Sequence, residues 1–349
     1  MRVGRFDLLT PGAVIAAVER CLDLILDGSV QPYPSYVNRV YGLRDDEDRE
    51  LIVKFYRPGR WSQAAIADEH RFLSDCAAAE IPVVAPLCNA QGHTLHTVTV
   101  EDSDDPLQPD VPLRDSQTFF FALFPKRGGR NFDAETDQQW HRLGSLIGRC
   151  HAVGLQRSAP NRLVCTPRSL TRNFADQLLS EGVVVTKARD EFEQICADTL
   201  QLIEPLFDDV LLTRIHGDCH RGNILDRPDS GLVLFDFDDM MSGPAVQDLW
   251  LLLPDYAQHC TRELTLLLDG YQQFTAFDRT TLALIEPLRF MRMIYFLAWR
   301  ASQMHDHWFR RALPDWGSEA FWIKEIEDLK TQAEVIAQSD PQFWNKSLA

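Results

Sequence analysis

The amino-acid sequence predicts an α+β fold with two lobes, a small β-rich N-terminal lobe and a larger helical C-terminal lobe. The chain has 349 residues, which is more than one hydrophobic core usually holds, since cores stop growing at roughly 250 to 300 residues. Strand-like segments around one inserted helix dominate residues 1–125, and helical periodicity dominates residues 126–349. A break rich in glycine and charge at about 124–130 is predicted to be a hinge between the lobes.

Composition indicates an ordinary globular protein and argues against several classes of partner. Hydrophobic residues make up 45% of the chain and charged residues 25%, as in folded domains. The 51 acidic and 35 basic residues give a net charge of −16, which repels nucleic acid, so we expect no nucleic-acid partner. The eight cysteines form no C-x-x-C pair and are expected to be reduced, packed thiols. No apolar segment has the length of a membrane span, and we expect a cytoplasmic monomer without a membrane partner.

The segments of the N-terminal lobe follow from capping and alternation. Thr10-Pro11 predicts the start of a helix that ends at Gly28, because Thr favours the N-cap and Pro the first helical position. The charged run 101–110 is predicted to be a solvated loop. Residues 81–88, with two prolines, are predicted to be an extended connector. The strand-like segments are residues 35–42, 51–56, 94–100 and 118–124.

Lys54 lies inside an apolar strand and can be interpreted in two ways. A lysine at a sheet edge can simply point to solvent. In kinases, a lysine on the third strand contacts the α and β phosphates of ATP and pairs with a glutamate on the following helix. Residues 61–79 predict that helix, and Glu69 is the better partner, with Asp68 as the competitor.

The C-terminal lobe is predicted to consist mostly of helices. In the first of them, Gly144 and Gly148 are expected to permit close packing against a neighbouring helix. His141 and His151 are interpreted as surface or packed residues of that helix rather than metal ligands. The predicted helical segments are residues 136–153, 168–182, 188–206, 245–253, 263–274, 280–301 and 319–337.

Residues 214–243 concentrate the polar side chains that suggest chemistry. Four residues separate Asp218 from Asn223, the spacing with which a kinase catalytic loop holds its proton acceptor and a Mg²⁺-binding asparagine. Asp236 follows an apolar strand and supplies a second metal ligand. Any one of these residues could simply form a turn, because Asp and Asn bond to their own backbone. Together with Lys54 and Glu69, they predict a phosphoryl-transfer site.

The combination of these segments resembles the stress response kinase A family of bacteria, within the aminoglycoside phosphotransferase and choline kinase superfamily. The resemblance extends over nearly the whole chain, from Ser35 to Arg289. It implies a protein-kinase-like fold and an ATP-dependent Ser/Thr protein kinase associated with envelope and oxidative stress. The segments that resemble the family are 53–58 (VKFYRP), 216–225 (HGDCHRGNIL), 236–239 (DFDD) and 243–250 (GPAVQDLW).

The resemblance also implies roles for single residues. Asp218 matches the family's proton acceptor, with Asp236 as the second catalytic carboxylate, and Asn223 and Asp236 match its Mg²⁺ ligands. Ser35 matches a residue placed near ATP, where a Gly-rich loop is missing. We expect ATP and Mg²⁺ as cofactors. The residues expected to contact ATP are Ser35, Lys54, Glu69 and, beside the adenine at the hinge, Phe124 and Lys126.

Two further positions and two alternative functions stay open. Asp248 is expected to support the loop through backbone hydrogen bonds, and the helix carrying Arg289 and Arg292 matches the place of an acceptor pocket in relatives. The acceptor is a protein hydroxyl or a small alcohol such as an aminoglycoside, choline or a sugar. A pseudokinase scaffold is the second alternative, but retention of Lys54, Asp218 and Asn223 argues against it.

Overall fold

The computed structural model describes residues 6–35, 37–101, 116–228, 231–339 and 343–344. Contacts divide the chain into two compact units, Met1–Gly129 and Arg130–Ala349. This division lies inside the segment 124–130, whose role as a hinge stays a prediction. Of the predicted loop 101–110, only Glu101 lies within the described residues, and it ends a strand.

The first unit is built on a five-stranded antiparallel sheet with the order β1-β2-β3-β5-β4. A short 3₁₀ helix at Phe6–Leu8 and two α-helices accompany it, α1 at Pro11–Leu22 and α2 at Gln63–Ala78. The strands are β1 Leu26–Tyr33, β2 Arg39–Asp45, β3 Glu50–Phe55, β4 His96–Glu101 and β5 Ser116–Pro125.

The start of this unit differs from the prediction. Thr10 caps α1 as expected, by accepting from the backbone of Ala13, but the helix does not extend to Gly28. It ends at Leu22, because Asp23 adopts a left-handed backbone with φ 53° and stops the helical hydrogen bonding. Gly28 instead has φ 89° and lies in β1, where the register with β2 shifts. This edge strand was not predicted, and its position tolerates Pro32.

Alternation along β3 determines which side chains face which layer. Val53 and Phe55 are fully buried in the core that α1 forms with this sheet, and the Phe55 and Phe121 rings stack 5.1 Å apart. Successive strand residues point to opposite faces, so Lys54 points away from that core. Its strand neighbours are Val40 and Ala122. The sheet therefore presents Lys54 on the face that α2 covers.

The second unit is mainly helical and has two small sheets, β6-β8-β9 and β7-β10. Its strands are β6 Arg130–Asn131, β7 Leu212–Ile215, β8 Ile224–Arg227, β9 Gly231–Leu234 and β10 Met241–Pro244. Its α-helices are α3 Asp137–Gly154, α4 Arg172–Ser180, α5 Thr186–Ile203, α6 Gln247–Trp250, α7 Thr261–Tyr271, α8 Ile285–Ala301, α9 His307–Ala312 and α10 Glu319–Gln338. The predicted helices are present, α6 is shorter than predicted, and α9 was not predicted.

Close contact between α3 and α7 confirms the reason for two of the predicted small residues. A Cβ atom at Gly144 would lie 1.9 Å from the carbonyl oxygen of Leu267, and one at Gly148 would lie 2.5 Å from that of Tyr271. Both distances are far inside van der Waals contact, so only glycine lets these backbones touch. The contact brings the C-terminal half of α3 against Tyr271.

Two composition-based expectations can be compared with the described residues. All eight cysteines lie within the described ranges and are reduced, with no disulfide among them, and six are buried. Within those same ranges, none of the helices combines the length and apolar character needed to cross a bilayer.

Candidate active site

Lys54 and Glu69 form a buried ion pair in the first unit. The Lys54 Nζ atom lies 3.7 Å from Glu69 Oε1, with 10% and 1% of the two side chains exposed. The competitor, Asp68, pairs instead with Arg71 on its own helix at 3.1 Å. A charge buried this deeply is retained only when it is paired. The predicted pairing of Lys54 with Glu69 is therefore present, and its role toward ATP stays a prediction.

An aromatic layer holds this ion pair in position. The Tyr56 ring lies under the ammonium group of Lys54, 4.8 Å from Nζ to the ring centroid, a favourable cation–π distance. The Tyr56 hydroxyl lies 3.4 Å from Glu69 Oε1 and 2.9 Å from His70 Nε2. His70 in turn contacts the Thr94 hydroxyl at 2.8 Å. These contacts restrict the Glu69 side chain to the orientation that meets Lys54.

The other residues of this unit that are predicted to contact ATP, Ser35, Phe124 and Lys126, differ in burial and in the groups they contact. Ser35 is half-buried, and its carbonyl accepts a hydrogen bond from Arg39 at 3.3 Å. Phe124 is buried, with the His70 ring edge-on at 6.3 Å. Lys126 follows β5 and pairs with Glu50 at 2.6 Å. The side chain of Lys126 thus has an acidic partner of its own, and all three roles stay predictions.

The predicted loop of the second unit begins where β7 ends. Gly217 adopts φ 82°, and a Cβ atom there would lie 2.1 Å from the carbonyl oxygen of Asp239. Only glycine fits this backbone and this space. His216 accepts from the Asp218 amide through Nδ1 at 3.3 Å, and its Nε2 atom donates to the Phe235 carbonyl at 2.9 Å. His216 thereby ties the loop to the chain that follows β9.

Asp218 projects from this loop between two basic side chains. Arg292 of α8 donates to its Oδ1 atom at 2.6 Å, and the His220 Nε2 atom lies 3.4 Å from Oδ2. Because His220 Nδ1 accepts from the Gly222 amide, its proton is on Nε2, facing Asp218. Burial by itself raises the pKa of Asp218, but the His220 hydrogen bond and the Arg292 charge outweigh it and lower the pKa to about 2. The carboxylate is ionised at neutral pH.

Asn223 and Asp236 offer the oxygen ligands that a hard divalent cation prefers. The Asn223 amide nitrogen donates to the Asp218 carbonyl at 3.0 Å, which assigns the amide oxygen as the atom available for a metal. Asp236 follows β9 and has a left-handed backbone, with φ 60°. Such strain in a non-glycine residue is typical of functional sites. Among the described residues no three His, Cys, Asp or Glu side chains cluster as a metal site. The protein ligands that fit a divalent cation here are therefore the Asn223 amide oxygen and the Asp236 carboxylate.

The carboxylate of Asp248 supports the loop by accepting two of its backbone hydrogen bonds. Its Oδ2 atom accepts from the His216 amide at 2.7 Å and its Oδ1 atom from the Gly217 amide at 2.9 Å. His151 of α3 completes the arrangement, with Nε2 2.9 Å from Asp248 Oδ2 and Nδ1 3.1 Å from the Tyr271 hydroxyl. The predictions that Asp248 bonds to the loop backbone and that His151 is a packed residue are confirmed.

Comparison with known proteins decides the family. The sequence profile of the phosphotransferase enzyme family (APH) matches residues 29–285, well over half of the chain. The chain belongs to this phosphotransferase family. Stress response kinase A of Escherichia coli (strain K12) is 34% identical over 325 residues, covering 91% of both chains. Serine/threonine protein kinase RdoA of Salmonella typhimurium is 31% identical over 346 residues, covering 97% of both. The predicted resemblance is confirmed.

Solved structures share the fold of this phosphotransferase. Amicoumacin kinase hAmiN, in complex with AMP-PNP, Ca²⁺ and Ami, aligns with a TM-score of 0.71 at 19% identity, over 93% of this chain and 95% of that one. Choline kinase LicA from Streptococcus pneumoniae aligns with a TM-score of 0.61 at 13% identity, over 93% and 98% of the two chains. The predicted α+β, protein-kinase-like fold is confirmed.

Sequence reasoning did not identify two residues, Arg162 and Tyr295, that hold the segment after Asp236 in this phosphotransferase. Arg162 is buried and donates to the carbonyls of Asp238 and Met240, the latter at 2.6 Å. The Tyr295 hydroxyl donates to Asp239. No local signal identifies Arg162, since its partners are more than 70 positions away. Tyr295 had a usable signal, because it lies three residues after Arg292 and therefore on the same face of α8.

Proposed function

We propose that this chain is an ATP- and Mg²⁺-dependent Ser/Thr protein kinase of the bacterial stress response, a cytoplasmic monomer that transfers the γ-phosphate of ATP to a protein hydroxyl. The proposal rests on its similarity, at 31% identity along 97% of both chains, to a relative named serine/threonine protein kinase. The folded loop around Asp218 and Asn223 supports phosphoryl transfer as the chemistry.

Asp218 orients the acceptor hydroxyl and accepts its proton. With a pKa of about 2, this carboxylate is a weak base, and it gains a full proton only after the hydroxyl oxygen has begun to bond to phosphorus. Phosphoryl transfer passes through a loose transition state in which placing the nucleophile matters more than removing its proton early. The supported loop backbone provides that placement.

Asn223 and Asp236 would hold Mg²⁺ through their oxygens. When bound, the ion neutralises charge on the ATP phosphates and on the group in transfer. Lys54 adds a positive charge on the phosphate side, and Glu69 fixes its direction. Ser35, Phe124 and Lys126 complete the proposed ATP contacts.

A panel assay tests the proposal. The purified chain is incubated with [γ-³²P]ATP and Mg²⁺, and label is counted on the chain itself, on generic protein substrates and on a set of small alcohols. We expect label on proteins above label on alcohols. Lys54→Met is expected to lower incorporation by about 10²- to 10³-fold, the usual scale for an electrostatic stabiliser. Lys324→Met, an exposed residue of α10 outside the matched family region, is the matched control.

The alternative outcomes identify the alternative functions. Label on alcohols but not on proteins would show a small-molecule kinase, and the proposed substrate class would be wrong. ATP binding that does not depend on Mg²⁺, without transfer to any acceptor, would show a nucleotide-binding scaffold. Equal incorporation by Lys54→Met and Lys324→Met would contradict the role of Lys54.

A further inference from the structure

Arg292 lies directly on the proposed proton acceptor. Its Nη2 atom is 2.6 Å from Asp218 Oδ1, and 28% of its side chain is exposed. Among the described residues this is the only hydrogen bond that the guanidinium makes. A guanidinium carries five N–H donors in a fixed fork. Arg292 therefore keeps donors for a group that arrives beside Asp218.

The face of α8 that carries Arg292 continues with aromatic rather than acidic side chains. One turn further along the helix, the rings of Phe296 and Trp299 stack 5.2 Å apart, and 40% of Phe296 is exposed. Arg300 lies over the Phe296 ring at 4.2 Å. Residues three and four apart share a helix face. From Arg292 onward this face thus offers a cation and aromatic surface to an incoming molecule.

Three carboxylates around this face, Asp218, Asp239 and Glu286, have partners. Asp239 accepts from the Tyr295 hydroxyl. Glu286 pairs with Arg289 at 3.1 Å and accepts from Gln332 at 2.9 Å. The negative charge of Asp218 is balanced by Arg292 at Oδ1, and the His220 imidazole faces Oδ2. An ammonium group of a substrate would have to displace one of these partners to gain a counter-charge from any of the three.

We propose that Arg292 determines acceptor specificity, so that the hydroxyl group phosphorylated by this kinase is flanked by neutral or acidic groups and not by amines. Arg292 holds Oδ1 of Asp218, and Oδ2, which the His220 Nε2 atom faces at 3.4 Å, keeps a second lone pair for the acceptor hydroxyl. The remaining N–H groups of Arg292 bind a carbonyl or carboxylate next to that hydroxyl. A positive charge on the acceptor meets repulsion from Arg292. This inference rests on the proposed role of Asp218 and adds the chemical class of the acceptor.

The size of the effect follows from Coulomb's law. Two positive charges about 6 Å apart near a protein surface repel strongly enough, after partial screening by salt, to weaken binding by about tenfold. Specific sites commonly exclude wrong partners through such like-charge contacts. We therefore expect the preference for uncharged or acidic acceptors to be about tenfold in kcat/KM, and to depend on the Arg292 charge.

Matched acceptor pairs measure this preference. Serine peptides that differ only in flanking residues, two glutamates or two lysines, form one pair, and 1,3-propanediol and 3-amino-1-propanol form another. Each is tested with wild type, Arg292→Gln, Arg292→Lys and Lys324→Gln. Lys324 is an exposed residue of α10 outside the matched family region, so Lys324→Gln controls for loss of a positive charge away from the acceptor face.

The expected result is a tenfold preference in wild type that falls below about threefold in Arg292→Gln. Arg292→Lys keeps the charge and is expected to keep most of the preference, and Lys324→Gln is expected to keep all of it. A wild-type preference for the amine acceptors would overturn the inference. So would an unchanged ratio in Arg292→Gln, even if its overall rate fell, because that result would indicate a purely structural contact. If only the alcohols are labelled, the protein-kinase proposal fails while the alcohol pair still measures the ratio.

Discussion

Two aspartates serve the same loop in different environments. Asp248 has 1% of its side chain exposed and accepts hydrogen bonds from two backbone amides and a buried histidine. Asp218, thirty positions earlier, has 22% of its side chain exposed, and among the described residues its carboxylate pairs only with side chains, those of Arg292 and His220. Backbone donors cannot move without moving the loop, whereas long side chains can. The difference separates a carboxylate that holds the loop from one that can exchange partners with a substrate.

Substituting Asp218, the carboxylate that can exchange partners with a substrate, should have the largest effect on the reaction rate. Asp218→Asn removes the proton acceptor but keeps a hydrogen-bonding side chain of the same size, so we expect a fold like that of the parent and a kcat lowered by about 10²- to 10⁴-fold. Single-turnover transfer with saturating ATP measures this. Asp208→Asn, an exposed aspartate, is the control. Transfer at the parental rate in Asp218→Asn would mean that the two aspartates do not differ in this way.

Substituting Asp248, the carboxylate that holds the loop, should mainly lower the stability of the fold. Asp248→Ala leaves the His216 and Gly217 amides and the His151 ring without their acceptor in a buried place, where each unmet group costs about 1 to 3 kcal/mol. We expect a loss of about 3 kcal/mol or more in the free energy of unfolding. Urea denaturation measures it, with Asp208→Ala as the control. A stable but inactive Asp248→Ala would instead give this residue a direct role in the reaction.

The sequence predicted the residues whose signals are local. Lys54 stood out because a charge interrupts an apolar strand, and Glu69 because it lies on the helix that follows. Asp218 and Asn223 stood out through a spacing of four residues, and Asp248 through its place after Asp236. All these signals lie within one element or between consecutive ones, where periodicity and spacing apply.

The remaining features depend on contacts that leave no local pattern. Arg292 meets Asp218 from 74 positions away and His151 meets Asp248 from 97. The strand β1 was missed because Gly28 and Pro32 suggest a turn, and only pairing with β2 makes that segment extended. The strands β6, β8 and β10 are two to four residues long, too short for alternation to be visible. Tertiary packing alone specifies them.

Acid should weaken the stabilisation provided by Asp218. Its folded pKa of about 2 lies below its ordinary value of 3.8, so the ionised form stabilises the fold, and this contribution is complete above about pH 4. It is lost as the pH falls through the folded pKa. The difference corresponds to about 2 kcal/mol. The gap in unfolding free energy between parent and Asp218→Asn should be about 2 kcal/mol at pH 6 and roughly half of that at pH 3.

Urea titrations at pH 6, 4 and 3 measure that gap. Arg292→Gln should show a smaller decrease between pH 6 and pH 3 than the parent, because the guanidinium is one of the groups that lower the pKa of Asp218. A gap that stays constant between pH 6 and pH 3 would show that the contacts of Asp218 do not favour its charged form.

The smallest expected effect lies furthest from the loop, at the Tyr271 hydroxyl. Burial raises the pKa of Tyr271, so the phenol stays protonated and donates to His151 Nδ1, which leaves the Nε2 proton for Asp248. Tyr271→Phe removes that donor and should cost about 1 kcal/mol of unfolding free energy, with kcat changed less than about threefold. Tyr256→Phe, which keeps the ring beneath Arg289, is the control. A loss of activity without a loss of stability would show that the His151 proton contributes to the reaction as well as to support.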